Sequence, residues 1–91
     1  MKYFDWDPEK NEKLQEERDI GFEDILIAIE EGGLVAVLEH PNTRRYSGQK
    51  ILVVIVRAYG YLVPYVEDEQ RVFLKTIIPS RKATKRYITK Q

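Results

Sequence analysis

No cysteine occurs among the 91 residues of this chain, and histidine occurs once, as His40. The first absence excludes a disulfide framework and thiol chemistry. Together the two exclude a zinc constellation, which draws its ligands from these residue types. No Gly-rich phosphate loop, nucleophile elbow or serine-triad signature is present. No apolar run approaches the ~20 residues of a membrane span. The start, Met1-Lys2-Tyr3-Phe4-Asp5-Trp6, lacks the long apolar stretch of a signal peptide. The expectation is a cytoplasmic protein with no membrane contact. One domain over residues 1–91 would bury about 60–65% of the unfolded chain's surface.

Net charge is missing too, but only as a sum. Residues 1–39 hold 4 Lys/Arg against 12 Asp/Glu (4 − 12 = −8), and residues 40–91 hold 11 against 3 (11 − 3 = +8). Such asymmetry suggests an anionic partner for the second half and a first half that does not compete for it. The alternative is mutual neutralisation, with helix carboxylates lying over sheet cations. A sequence pI near 6.6 argues against a bulk nucleic-acid coat, so a polyanion would be met at one local site.

What is present is concentrated near the C-terminus. Residues 71–78 read as a strand, Pro79-Ser80 as a turn and cap, and Arg81-Lys82-Ala83-Thr84-Lys85-Arg86-Tyr87 as a helix. Ser80 is a good N-cap, so Arg81 and Lys82 fall in the first turn, where the helix dipole favours carboxylates instead. Arg81/Lys85 and Lys82/Arg86 are like-charge pairs at i,i+4, each costing roughly 0.2–0.5 kcal/mol. Cations beside unsatisfied backbone N–H groups suit an anion, with phosphate the obvious one. A solvated basic helix is the alternative.

The rest reads as α+β. Residues 2–6 form a short strand. Asp7-Pro8 opens a very polar helix over Pro8–Arg18, in which only Leu14 and side-chain stems can pack inward, and Gly21 breaks it. Phe22, Ile25, Leu26 and Ile29 then give one apolar face of a second helix, ended by Gly32-Gly33. The period changes to 2 for a strand at Leu34–Glu39, a polar loop at 40–48 and a central strand at 50–58. Gly60 turns the chain into a strand at 61–67, where Pro64 implies a bulge or an outward-facing N–H. Residues 67–70 connect to the last strand. Two N-terminal helices on a mostly antiparallel sheet, closed by a basic C-terminal helix, are expected.

Alternation in that last strand puts Arg71, Phe73, Lys75 and Ile77 on one face and Val72, Leu74, Thr76 and Ile78 on a core face. If the first face coincides with Tyr61 and Tyr65 of the neighbouring strand, cations and stacking aromatics line one surface ending at Arg81. Single-stranded RNA is recognised that way; an ordinary solvated sheet face is the bland reading. His40, before Pro41, reads as an exposed loop imidazole. Glu67-Asp68-Glu69 could hold a divalent cation but reads more simply as solvated turn acids. No cofactor or metal is implied. An enzyme built from Lys, Arg, Tyr and a carboxylate can still cleave RNA: a base activates the ribose 2′-OH and cations stabilise the phosphorane.

Four motifs then stand out: Phe4-Asp5-Trp6-Asp7-Pro8-Glu9-Lys10-Asn11, Gly21-Phe22-Glu23-Asp24, Arg45-Tyr46 and Ile77-Ile78-Pro79-Ser80-Arg81-Lys82-Ala83-Thr84. In this pattern the chain resembles the BrnT-type toxins. The likeness spans nearly the whole chain, and its terminal motif is the most specific part. It implies a RelE-like fold and a ribonuclease toxin of a type II toxin–antitoxin pair. The partner it implies is a small ribbon-helix-helix antitoxin, with DNA reached only through that antitoxin. The turn that carries a His in the family reads Arg18-Asp19-Ile20-Gly21 here, and the Arg of its last strand is Lys75.

The expected function is metal-independent RNA cleavage that inhibits translation. Lys75 and Arg81 are the phosphate and transition-state cations, with Tyr87 or Tyr46 orienting substrate or assisting proton transfer. Arg45, Lys82, Lys85 and Arg86 are the RNA contacts. A non-catalytic RNA- or protein-binding module of the same fold is the alternative. A structural partner whose basic half docks an acidic chain is a third.

Overall fold

Asp7 starts the first helix through its side chain, which accepts the Glu9 N–H at 3.0 Å, with Pro8 at the first helical position. The computed structural model describes residues 2–39 and 49–88 of the chain. In order they form β1 (Tyr3–Asp5), α1 (Pro8–Arg18), α2 (Phe22–Glu30), β2 (Leu34–Glu39), β3 (Lys50–Val56), β4 (Tyr59–Glu67), β5 (Arg71–Leu74), β6 (Ile78–Pro79) and α3 (Arg81–Tyr87). The six strands make one sheet in the order β1-β5-β4-β3-β2, with β6 also pairing β4. All pairs are antiparallel except β1 with β5. The described residues are thus α+β, with three helices and a mostly antiparallel sheet. Among the described residues, no helix is long and apolar enough to cross a membrane.

The turn between α1 and α2 is made by a residue other than the expected glycine. Asp19 adopts the left-handed conformation (φ 56°) and its N–H closes α1 on the Gln15 carbonyl. Asp and Asn tolerate that region better than most side chains. Gly21 begins α2 instead, its N–H donating to Asp24 Oδ2 at 2.9 Å. Asn11 is a buried polar side chain; its Oδ1 accepts the Phe22 N–H at 2.7 Å. Asn11, Leu14 and Arg18 follow i, i+3, i+7 spacing, so they share one face of an otherwise solvated helix.

One face of the sheet carries the main core. Leu14, Ile20, Phe22, Ile25 and Ala28 pack with Leu52, Val54 and Val56 of β3, Val63 and Tyr65 of β4, Leu74 and Ile77. Trp6 stacks on Phe22 at 5.5 Å between ring centroids. Each such aliphatic or aromatic side chain contributes about 1.5–3 kcal/mol when removed from water. Ile51 and Val53 alternate to the opposite face and are buried there too, as is Ala83 of α3.

Two expectations about the strands need correction, and of the two alternatives for Pro64 the structure has the second. The β3–β4 turn is Arg57-Ala58, both at positive φ (50° and 64°), and Val56 pairs with Tyr59. Positive φ at both central residues is what a two-residue hairpin demands, and neither residue is the glycine or asparagine that adopts it cheaply. Gly60 is therefore a strand residue, not the turn. The last strand is not continuous over 71–78: it breaks at 75–77, so Leu74 and Ile77 are both buried (1% and 0% exposed) while Ile78 is 41% exposed. The break shifts the alternation by one residue. Pro64 lies within β4, opposite Ile51, without a register shift. Counting from the hairpin, its missing N–H faces the gap between β5 and β6, where its carbonyl accepts the Lys75 N–H at 2.8 Å.

Candidate functional site

The basic C-terminal helix is pinned to the sheet at its first turn. Ser80 Oγ accepts the Ala83 N–H at 3.0 Å, as an N-cap does. The Ser80 N–H donates to the Gly60 carbonyl at 2.9 Å, and the Gly60 N–H donates to Thr84 Oγ1 at 2.8 Å. The Thr84 hydroxyl in turn donates to the Ser80 carbonyl at 2.8 Å. A Cβ on Gly60 would lie 2.9 Å from the Thr84 nitrogen and 3.1 Å from the Ala83 carbonyl carbon. Glycine is needed there for close approach, which a reading of the sequence alone takes for a turn signal.

That clamp decides which way the cations face. Ala83 is buried against β4, while Arg81, Lys82, Lys85 and Arg86 are exposed. Arg81 and Lys85 share one face, Lys82 and Arg86 the adjacent one. Arg86 lies over the Tyr87 ring at 5.7 Å. Lys75, also exposed, sits in the break between β5 and β6, five residues before the cap.

Tyr87 is elsewhere. It follows Arg81 by six residues, which is about 9 Å along the helix and roughly 120° around it. Its ring lines an open cavity of roughly 650 Å³ with Ile27, Ala28, Val35, Val56 and Arg57. Arg45 and Tyr46, with the rest of residues 40–48 including His40, lie outside the described residues.

The surface combining Tyr61 and Tyr65 with Arg71 and Lys75 is not formed. Tyr65 pairs with Leu74, and both belong to the main core; Tyr61 packs against the same cluster. Burial, followed by the Glu67 carboxylate, raises the Tyr65 hydroxyl above its ordinary pKa. Arg71 lies on the opposite face over the Phe73 ring at 5.3 Å, and it pairs with Asp5 at 2.9 Å. Its charge ties β5 to β1. Lys2 pairs with Glu67 at 2.9 Å, so two bridges join the acidic and basic halves along this edge.

The acidic hairpin has structural work of its own. Asp68 Oδ1 accepts the N–H groups of Gln70 and Arg71, both at 2.9 Å, which hold its carboxyl below the usual range. Glu67 is likewise lowered, chiefly by its bond from Lys2. Two further contacts escape a reading of the sequence: Arg18 donates to the Ile77 carbonyl at 2.7 Å, and Arg57 to the Asp19 carbonyl at 3.0 Å. The first had a signal in the Asn11–Leu14–Arg18 spacing; the second had none.

Comparison with models of known protein families, with characterised proteins and with solved structures finds no match to this chain.

Proposed function

We propose that this chain is a metal-independent endoribonuclease toxin of the BrnT type, with a RelE-like fold, that inhibits translation by cutting RNA. The observation that carries the reading is the use of the terminal motif. Its Ser80, Ala83 and Thr84 are spent on capping, burial and the bond to Gly60, and its Arg81 and Lys82 are left exposed in the first turn. A helix anchored by its small residues holds its cations where an extended phosphate chain can reach them.

In the proposed reaction a base removes the proton of a ribose 2′-OH, and that oxygen attacks the adjacent phosphorus. The bond to the 5′-oxygen breaks, that oxygen takes a proton from the protonated base or from water, and a 2′,3′-cyclic phosphate and a 5′-hydroxyl are left. Arg81 and Lys75 stabilise the phosphorane charge, which is where preorganised cations contribute most. Lys82, Lys85, Arg86 and Arg45 hold the strand, and Tyr87 or Tyr46 orients it. A small ribbon-helix-helix antitoxin neutralises the enzyme by laying acidic and apolar residues over the +8 half, and it supplies the only contact with DNA.

One observation favours a second reading, a non-catalytic RNA- or protein-binding module. Tyr87 lines the cavity at the Arg57 end of the molecule, a turn and a half along α3 from Arg81. The purified chain incubated with RNA in excess EDTA separates the two. Cleavage is expected to persist, leaving 2′,3′-cyclic phosphate or 3′-phosphate ends. Binding without cleavage establishes the module instead. Loss of cleavage that magnesium restores overturns the metal-free mechanism.

A further inference from the structure

Strand register lines up one row of side chains on the sheet face that carries α3. Along β4, Val66, Pro64, Leu62 and Gly60 alternate to that face, each about 7 Å beyond the last. Val66 pairs with Phe73, and Leu62 pairs with Ile78. Between them the Lys75 N–H donates to the Pro64 carbonyl at 2.8 Å, and at the end of the row α3 seats on Gly60. Phe73, Lys75, Ile78 and the first turn of α3 therefore follow one another along a single line.

The Phe73 end of that line opens into a hollow of roughly 340 Å³, lined by Val66, Glu67, Asp68, Arg71 and Phe73. Small-ligand pockets span about 300–1,000 Å³. Phe73 is half-buried, and Arg71 lies over its ring at 5.3 Å. Asp5 holds Arg71 there at 2.9 Å, so the guanidinium offers a fixed plane more than a free charge. Unpaired bases stack on aromatic rings and on guanidinium planes. The rest of the lining is acidic. Glu67 Oε2 accepts from Lys2, and Asp68 Oδ1 accepts two backbone N–H groups. Glu67 Oε1 has no hydrogen bond among the described residues, and Asp68 Oδ2 has only Arg71 Nε at 3.9 Å. An ionised carboxylate accepts and never donates. Such walls turn a phosphate away, toward Lys75, and select a base by its N–H groups. Guanine presents two adjacent donors, N1–H and N2–H, whereas uracil presents one between two carbonyl oxygens.

We infer that the hollow beside Phe73 is a base pocket for guanine in single-stranded RNA. The inference rests on the RNA-cleaving reading and adds to it the base that is read beside the cut. In that reading Lys75 is a cation at the phosphorane, and Phe73 stands one step, about 7 Å, along the same strand. The stacked base therefore belongs to a nucleotide adjoining the cut phosphate. Ile78 and α3 lie on the other side of Lys75, where the RNA continues past the cut.

Short 2′-O-methyl oligonucleotides, whose blocked hydroxyl cannot attack, separate binding from cleavage. By fluorescence anisotropy with the full chain, an all-uracil oligomer should bind roughly tenfold more tightly once its central base is guanine. Phe73→Leu keeps an apolar side chain on the strand but removes the ring, and should weaken binding of the guanine oligomer by roughly five- to hundredfold. Glu67→Gln/Asp68→Asn alters only exposed side chains and should erase the preference for guanine, because an amide donates as well as accepts. With cleavable RNA, wild-type cuts should adjoin guanine, and cuts by the double variant should spread over all four bases. Binding without a preference for guanine, or a preference that both variants leave intact, overturns the pocket while the RNA reading stands. Guanine-dependent binding with no cleavage of RNA supports the pocket and overturns the enzyme. A chain that binds none of these oligonucleotides overturns both.

Discussion

Gly60 and Thr84 hold each other across the sheet–helix boundary: the Gly60 N–H donates to the Thr84 hydroxyl oxygen at 2.8 Å, and no side chain fits between them. The contact orients the whole basic helix. Gly60→Ala should push α3 off β4 at a cost of about 1–3 kcal/mol, the usual range for overpacking. Hydrogen exchange would report it as faster exchange of the Ala83 and Thr84 amides, with the β3–β4 ladder unaffected. Unchanged protection there would show that the helix does not depend on this approach.

Asn11 anchors the other end of the domain. Its Oδ1 takes the Phe22 N–H, and its Nδ2 donates to the Glu23 carboxylate at 2.9 Å. Asn11→Ala leaves a buried N–H without an acceptor, costing about 1–3 kcal/mol. For a domain this size the thermal midpoint should fall by roughly 4–8 °C per kcal/mol. A midpoint equal to the wild type would mean that water or a shifted side chain takes over the bond.

Arg81→Ala separates function from folding. The side chain is exposed at the start of α3, and its loss removes no packing. If Arg81 stabilises the phosphorane, cleavage should slow by roughly 10²–10³ and growth arrest on expression should be relieved. The thermal midpoint should barely move. Full toxicity in a normally expressed variant would sink the assignment.

Acid should loosen the β1 edge and the β4–β5 hairpin. Glu67 and Asp68 both titrate below their ordinary values in the folded protein. Groups lowered by folding add stability above the unfolded carboxylate pKa of about 4 and lose it as pH falls through the lower folded value. Both side chains are exposed, so the effect is small. The thermal midpoint of wild type should decline more steeply with falling pH than that of the Glu67→Gln/Asp68→Asn double variant. Parallel curves would show that these bonds do not couple to folding.

Local chemistry made much of this protein legible in advance. The bounds of α1 follow from Asp7, Pro8 and a run of helix formers, and those of β2 from its apolar residues between Gly33 and the polar residues after Glu39. α3 follows from Ser80 and the short basic run behind it. Those signals act within one or two turns, so they survive whatever the rest of the chain does. The places where the reading failed all depend on contacts between elements. Gly60 looks like a turn residue until α3 is seen to lie against it, while the real turn uses Arg57 and Ala58, whose positive φ angles only the closed hairpin can impose. Tyr61 and Tyr65 look like stacking platforms until the register turns them toward the core. The strict alternation expected over 71–78 fails because the sheet lets β5 end and β6 begin on the same strand, inserting one residue. Composition and periodicity determined the elements and the position of the cations along the chain. Only the tertiary structure decided which side of each strand is buried, because a one-residue shift in register moves every later side chain to the other face.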